Sequence, residues 1–408
     1  MSSDLEGGTI VRWLTRSVLS KVAVATVVVS TALVPALVST ATAAPDANQG
    51  KGQGVTVMTR NLYLGADIQR PINAAIEAQP DGAVAVLLAL GRATYVTRAI
   101  VDKTDFTTRS ELLAEEIADE RPDLVGLQEV AWWRHGPMEL GAIGVANATT
   151  TDYDFLEMLL DDLADEGVEY TAVQVQTESD VEAPSFRIAP TDGTGTDVRL
   201  TMRDVILMRV DDRLDEIASG GDNYSTTLPP FTIGDISYSF LRGYNWADVR
   251  VGSKEVRFIN THLEAFSSDV AFGQAAELLA GPAAHDGTTI IVCDCNSDPL
   301  NSSIKTDIGD TLPHKAAYEL ITGSGGFTDQ WLEKKPAFKG WTSGLSETVD
   351  DETAAGFDHR IDMIFAREAD GTGMVTDRGE VTGDELSDRD PVTGLWPSDH
   401  AGVVLRLR

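Results

Sequence analysis

Apolar and polar positions alternate at the start of the folded part of the chain. Val55-Thr56-Val57-Met58-Thr59 reads as a strand that ends at Arg60-Asn61. Residues 71–100, rich in Ala, Leu and Ile and without strand alternation, predict one or two helices laid over a sheet. Ser110 to Asp119 is a clearer amphipathic helix, with Leu112, Leu113 and Ile117 beside acidic positions. Pro122 then precedes an apolar strand from Leu124 to Glu129, which completes one αβ unit. A second helix is predicted over Phe155 to Asp165 and a strand over Val168 to Val175. Thr177 to Asp197, broken by Pro184, Pro190 and Gly193, is expected to be a polar rim loop. Apolar strands follow at Val198 to Val210 and Val249 to Thr261, and a helix at Ser267 to Ala280 precedes the strand entering Asp294. The tail predicts strands at Ile361 to Ala366 and Ala401 to Leu407, separated by an acidic, Gly-rich stretch from Glu368 to Asp390. There is no short internal repeat and no linker dividing the folded part. These elements predict one α/β-sandwich domain over residues 55–408, with the Ala-rich segment at about 71–100 as a helical insert.

The first residues change the picture of where this domain works. Arg12, Arg16 and Lys21 precede a largely apolar run, Val22 to Val38, and Ala41-Thr42-Ala43 supplies small residues at a cleavage site. Residues 1–43 therefore read as a signal peptide and residues 44–54 as a polar leader, so the mature chain is expected to be secreted, monomeric and without a stable membrane span. The chain carries a formal charge of −32. Such acidity opposes broad electrostatic capture of a polyanion, although a local basic strip or a bound metal overrides it. The two cysteines, Cys293 and Cys295, stand two apart on an extended segment. That spacing is expected to be too wide for a disulfide, leaving packed free thiols that face away from Asp294.

The candidate chemistry gathers at strand ends. Ile290-Ile291-Val292-Cys293-Asp294-Cys295-Asn296 is an apolar strand that presents a carboxylate and a carboxamide on one face. Alone it reads equally as an Asx turn or as oxygen ligands for a hard cation. Polar residues also close or open the other strands: Asn61, Gln128-Glu129, Asn260-Thr261-His262, Arg360-Ile361-Asp362 and Ser398-Asp399-His400. Independent turns would not so regularly pair apolar strands with acids, amides and imidazoles.

In order, the segments TRNL at 59, LVGLQEV at 124, DVILMR at 204, INTHLEA at 259, IIVCDCNSDP at 290, HRIDMIFAR at 359 and WPSDHAGVVLRL at 396 resemble the endonuclease/exonuclease/phosphatase superfamily. The resemblance spans about Val55 to Arg408 and implies a DNase I-like, four-layered α/β/β/α sandwich of two mixed sheets. It implies a metal-dependent phosphoesterase of nuclease type, acting on phosphodiesters of nucleic acid or, alternatively, of phospholipid headgroups as sphingomyelinases do. A binding domain that lost turnover is the other alternative. By the same resemblance Glu129, with Asn61 close by and Asp399 completing the cluster, holds Mg²⁺ (or Mn²⁺ or Ca²⁺). Asp294 and Asn296 position water and a phosphate oxygen, His262 and His400 flank the phosphate as acid and base, and Asp362 orients His400. Cysteine at 293 replaces the family's usual glycine. Arg187, Arg199, Arg203, Arg242 and Arg250 are the basic residues that a nuclease groove would use, and Trp132-Trp133 is the candidate apolar rim for a lipid.

Overall fold

A computed structural model describes residues 54–233, 236–335 and 340–408; the expected signal peptide and nearly all of the polar leader lie outside the described residues. In chain order the elements are β1 (Val55–Asn61), α1 (Gln69–Glu77), α2 (Ala83–Lys103), α3 (Phe106–Glu120), β2 (Leu124–Gln128), β3 (Trp132–Pro137), β4 (Thr150–Asp154) and α4 (Phe155–Asp165). Then come β5 (Tyr170–Ser185), β6 (Thr196–Arg209), β7 (Leu214–Asn223), β8 (Phe231–Ile233), β9 (Ile236–Tyr238), β10 (Gly243–Val251), β11 (Lys254–His262) and α5 (Ser268–Ala280). The last third holds β12 (Thr288–Asp294), α6 (Ala316–Thr322), β13 (Thr328–Asp329), α7 (Gln330–Lys334), β14 (Asp362–Arg367), β15 (Thr376–Thr382) and β16 (Gly402–Leu407).

Two mixed sheets lie face to face. One runs β15-β16-β1-β2-β6-β3-β4 with β5 also paired to β6, and the other runs β13-β14-β12-β11-β10-β7. Strand alternation sorts the side chains into layers. In β1, Val57 faces the core between the sheets, while Met58 faces outward under Leu113 and Ile117 of α3 and Leu159 and Leu163 of α4. In β12, Ile290 and Val292 face the shared core, while Ile291 and Cys293 face outward under α5 and α6. Both sheets are thus covered on both faces, which is why their central strands read as nearly unbroken apolar runs. Gly126 of β2 lets the sheets close: a Cβ there would sit 2.3 Å from Val292 Cγ2 and 2.7 Å from Asn260 Oδ1 of the opposite sheet.

Three strand expectations need correction. The segment from Thr177 is not a loop, because β5 continues to Ser185 and pairs with β6 through a register shift near Thr177 and Asp180. Its polarity serves cross-strand and loop contacts: Asp180 accepts from Arg199 Nε at 2.8 Å, and Glu182 accepts from the Asn147 and Ala148 amides. The run Val249 to Thr261 is a hairpin of β10 and β11 that turns at Gly252, whose φ of 61° suits the tight reversal. The acidic stretch after Glu368 contains β15, an edge strand on β16.

The insert forms two helices. Phe186, just past β5, lies directly on Gly91 of α2 and donates its amide to the Gly91 carbonyl at 3.1 Å. Among the described residues α2 alone has the length and apolarity of a bilayer-crossing helix, and its Val86, Leu90, Ala93 and Val101 are buried in the protein. Trp133 is buried, whereas Trp132 is half-exposed and stacks under Arg134 at 3.9 Å.

Candidate active site

Sheet register brings three of the expected residues into one row. β11 and β12 run parallel and pair His262 with Asp294, while β14 runs antiparallel to β12 and pairs Asp362 with Asp294. The row is His262, Asp294, Asp362 across three adjacent strands. The other sheet supplies the facing edge: β1 and β2 are parallel and pair Asn61 with Gln128, so Asn61 and Glu129 leave their strands together. His400 enters β16 from the same edge, with its backbone oxygen bound by buried Arg60 and its amide donating to Ser398 Oγ at 3.1 Å. Two non-glycine residues of this group sit in the left-handed region, Glu129 at φ 56° and Asn296 at φ 43°. Such backbone is held only where its surroundings over-determine it, as at a built site.

Asp294 Oδ2 is the meeting point. Asn61 Nδ2 donates to it at 3.0 Å, His262 Nε2 lies at 3.3 Å and His400 Nε2 at 3.9 Å. The other Asp294 oxygen accepts the Asn296 amide at 3.1 Å, and Asn296 Nδ2 donates to the Leu263 carbonyl at 3.0 Å. His400 Nδ1 donates to Asp362 Oδ2 at 2.9 Å, and the backbone amides of Ile361 and Asp362 both donate to Thr342 Oγ1.

The neighbours set opposite charge states on the two imidazoles. Burial, then the Arg242 guanidinium and His400, hold His262 well below its usual pKa, so it is neutral. Burial opposes the charge on His400, yet Asp362, Asp399 and Asp294 together hold its pKa well above the usual value. Burial and the adjacent Asp362 push the Asp294 carboxyl up to about 7. Loss of hydration and the nearby Glu129 charge raise Asp399 to about 6.

The donor set fits a hard divalent cation. Ligand atoms of Asp294, Asp362 and His400 all lie within 4.8 Å of one another, and Asp362 Oδ1 is buried with no hydrogen-bond partner among the described residues. An orphaned carboxylate oxygen among further carboxylates and amides is suited to oxygen-loving ions such as Mg²⁺, Mn²⁺ and Ca²⁺.

The sequence matches the family described as Endonuclease/Exonuclease/phosphatase over residues 99–400. The chain belongs to this family. It is accordingly a hydrolase of phosphoester bonds. No curated protein matches it as a relative. Similar solved structures include an endonuclease/exonuclease/phosphatase family protein from Leptotrichia buccalis, 15% identical over 87% of this chain and 99% of that one, with a TM-score of 0.48. Another is D. rerio TDP2 complexed with single strand DNA product, at 15% identity, 88% and 100% coverage and a TM-score of 0.47. A mannosyl-6-phosphatase from Bacteroides thetaiotaomicron is 16% identical over 87% of this chain and 99% of that one, with a TM-score of 0.46.

Within this family member, the structure gathers Asn61, His262, Asp294, Asn296, Asp362 and His400 into one hydrogen-bonded group. Glu129 and Asp399 stand at its rim: Glu129 Oε2 accepts the Leu64 amide at 2.8 Å, and Asp399 Oδ1 lies 3.9 Å from His400 Nε2. Arg360, two residues before Asp362, pairs with Asp329. His359 is exposed beside Asp358, His135 pairs with Asp152, and His314 Nδ1 accepts the Asp298 amide.

The cysteines require a correction. Cys293 and Cys295 form a disulfide, with Cα atoms 5.0 Å apart. The expectation assumed an extended chain through residue 295, but β12 ends at Asp294 and the backbone bends toward the left-handed Asn296. The bridge does face away from Asp294, packed with Ile291, Ile321 and Phe365.

Three residues were not assigned to the site from sequence: Arg242, Glu178 and Asp204. Arg242 Nη1 lies 3.0 Å from His262 Nδ1 and 3.9 Å from Glu178 Oε2. Glu178 and Asp204 are buried next to each other, and burial above all raises both carboxyls. Asp204 opens the DVILMR segment, so an acid inside an apolar strand was the available signal.

Proposed function

We propose that this chain is an exported, divalent-metal-dependent phosphodiesterase of nuclease-like type. One observation carries the reading: a single carboxylate oxygen, Asp294 Oδ2, is shared by Asn61 and two histidines of opposite charge state. Phosphodiester hydrolysis needs a positioned water, a proton acceptor, and donors to the phosphate and the leaving oxygen, and a row of this kind offers each. Asn61, Glu129 and Asp399, with Asp294 and Asp362 beside them, would hold the ion. A bound Mg²⁺, Mn²⁺ or Ca²⁺ would offset charge on the phosphate and carboxylates and lower the pKa of coordinated water.

The protein's own residues do the rest. Asp362 fixes the Nδ1–H of His400, which turns Nε2 toward Asp294 and the reacting water. His400, kept protonated by its acidic neighbours, gives its Nε2 proton to the leaving oxygen, Asp294 orients the water and accepts its proton, Asn296 orients a phosphate oxygen, and His262 presents a hydrogen-bond donor from the other side. The amino-terminal basic and apolar pattern supports export.

A second reading, a phosphodiester of a small or lipid headgroup, is favoured by the fate of the basic residues. Arg199 is tied to Asp180, Arg203 to Asp154, Arg250 to Asp215 and Glu255, and Arg242 is buried at His262; of the five candidates Arg187 is exposed and has no ion pair among the described residues. Tied arginines hold less attraction for a polyanion.

Turnover of plasmid DNA, RNA, sphingomyelin and bis-p-nitrophenyl phosphate, measured with EDTA and after readdition of Mg²⁺ or Mn²⁺, tests both readings. Loss on chelation and recovery on readdition are expected. Activity indifferent to chelation defeats the proposal, and the substrate that turns over fastest decides between polymer and headgroup.

A further inference from the structure

We propose that Arg242 is a positioning residue, which locks His262 as the Nε2–H tautomer so that this histidine serves as a fixed hydrogen-bond donor to the phosphate. The proposal rests on the phosphodiesterase reading only for what the donor acts upon; the tautomer itself is a property of the chain.

A guanidinium has five N–H donors and no acceptor. Arg242 Nη1 lies 3.0 Å from His262 Nδ1, so that ring nitrogen must offer its lone pair. His262 is 1% exposed, and a second ring proton would place an imidazolium against a buried guanidinium. The single ring proton therefore sits on Nε2.

Two groups compete at Nε2. Asp294 Oδ2 lies at 3.3 Å and accepts the hydrogen. Asn296 Nδ2, fixed as the amide nitrogen by the Leu263 carbonyl at 3.0 Å, lies at 3.1 Å and is a second donor; the charged Arg242 donor at Nδ1, which has no neutral form to offer, outweighs this uncharged one. The Nε2–H consequently points toward the Asp294 edge, where the phosphate is placed.

Arg242 is itself held by a buried acidic base. Glu178 Oε1 accepts the Gly243 amide at 2.8 Å, and its other oxygen, 3.9 Å from Arg242, has no hydrogen-bond partner among the described residues, nor has either oxygen of Asp204. Two adjacent carboxyls without donors are satisfied by sharing one proton, as like charges at this separation do not both ionise. The pair then carries one negative charge opposite one guanidinium. Glu264 and Glu129 also act on Arg242, and all four acids favour its charged form. The donor to Nδ1 is thus permanent, whereas a carboxylate in that place would favour imidazolium.

Long-range ¹H–¹⁵N correlation spectra of the ¹⁵N-histidine-labelled full chain test this without substrate. His262 is expected to show an unprotonated Nδ1 and a protonated Nε2 from about pH 5 to pH 8. A proton on Nδ1 overturns the proposal whatever the enzyme hydrolyses. Arg242→Met is expected to release the tautomer and lower kcat by ~10- to 100-fold with little change in KM, the usual scale for loss of an orienting partner. Arg242→Lys, which restores one donor, is expected to keep the Nε2–H signature and recover most of kcat. A folded Met variant that retains both the signature and the rate counts against a positioning role. Should the Met variant not fold, the wild-type and Lys spectra still decide. Absence of turnover on every phosphodiester defeats the function proposed above and leaves the tautomer result standing.

Discussion

His262 and His400 sit on opposite sides of one carboxylate, and their surroundings are inverted. Arg242 faces His262 at 3.0 Å, whereas Asp362 faces His400 at 2.9 Å. One ring is kept neutral by a cation and the other charged by anions. A pair of histidines in a motif therefore states only that two imidazoles are present; the third residue behind each decides what it does at neutral pH.

The largest effect should come from the anionic side. His400→Ala is expected to lower kcat on bis-p-nitrophenyl phosphate by at least ~10²-fold, the usual size of an acid–base contribution. A folded variant with nearly parental activity would take His400 out of the chemistry and dissolve the contrast. Asp362→Asn should cost ~10- to 100-fold by loosening the ring. Because Asp362 is the strongest of the charges that raise His400, the same variant should bring the His400 titration down toward the usual range in an NMR pH series. An unmoved titration would mean that Asp399 and Asp294 suffice.

A third measurement sharpens the contrast through stability. His400, with its pKa raised on folding, stabilises the ion-free protein below its ordinary 6.5, and that stability is lost as pH rises through the raised value. Asp294, raised to about 7, acts in the same direction as pH rises toward 7. His262 opposes them only below 6.5, where the unfolded chain binds a proton that the folded one refuses. In EDTA the melting temperature should therefore fall from about pH 6.5 to pH 8, and added Mg²⁺ should shrink the fall by taking the protons' place at the carboxylates. A flat profile in EDTA would contradict the charged state given to His400.

The smallest effect concerns the wall that the two corners share. Replacing Cys293 and Cys295 together by alanine removes a very short loop, worth about 1.5 kcal/mol by chain entropy, read as a shift in urea midpoint. If kcat falls more than stability accounts for, the bridge also holds Asp294 in place between the histidines.

Much of this site was legible because strand ends carry it. Asn61, His262, Asp294, Asp362 and His400 each terminate or introduce an apolar run, and parallel pairing of the strands that end in them with antiparallel pairing of the strands that they open delivers them to one edge. Arg242 was visible only as one of five arginines suited to a groove, since nothing local says that a guanidinium will be buried against an imidazole twenty residues away. The polar reach of β5 was misread for a related reason: its acids are satisfied by the facing strand and by a neighbouring loop, and neither partner shows in the local pattern.

The order of seven motifs by itself pointed to the family and, through that resemblance, to two sheets, while the period of the apolar positions by itself determined buried strands with polar ends, because burial and side-chain facing follow from local alternation. Only the tertiary structure decided which partner stands behind each histidine, that the chain bends after Asp294 so that two cysteines join, and that Glu178 and Asp204 meet behind Arg242. Those outcomes depend on distances between strands far apart in sequence. A proton's position is fixed by its nearest charges, and sequence order does not supply them.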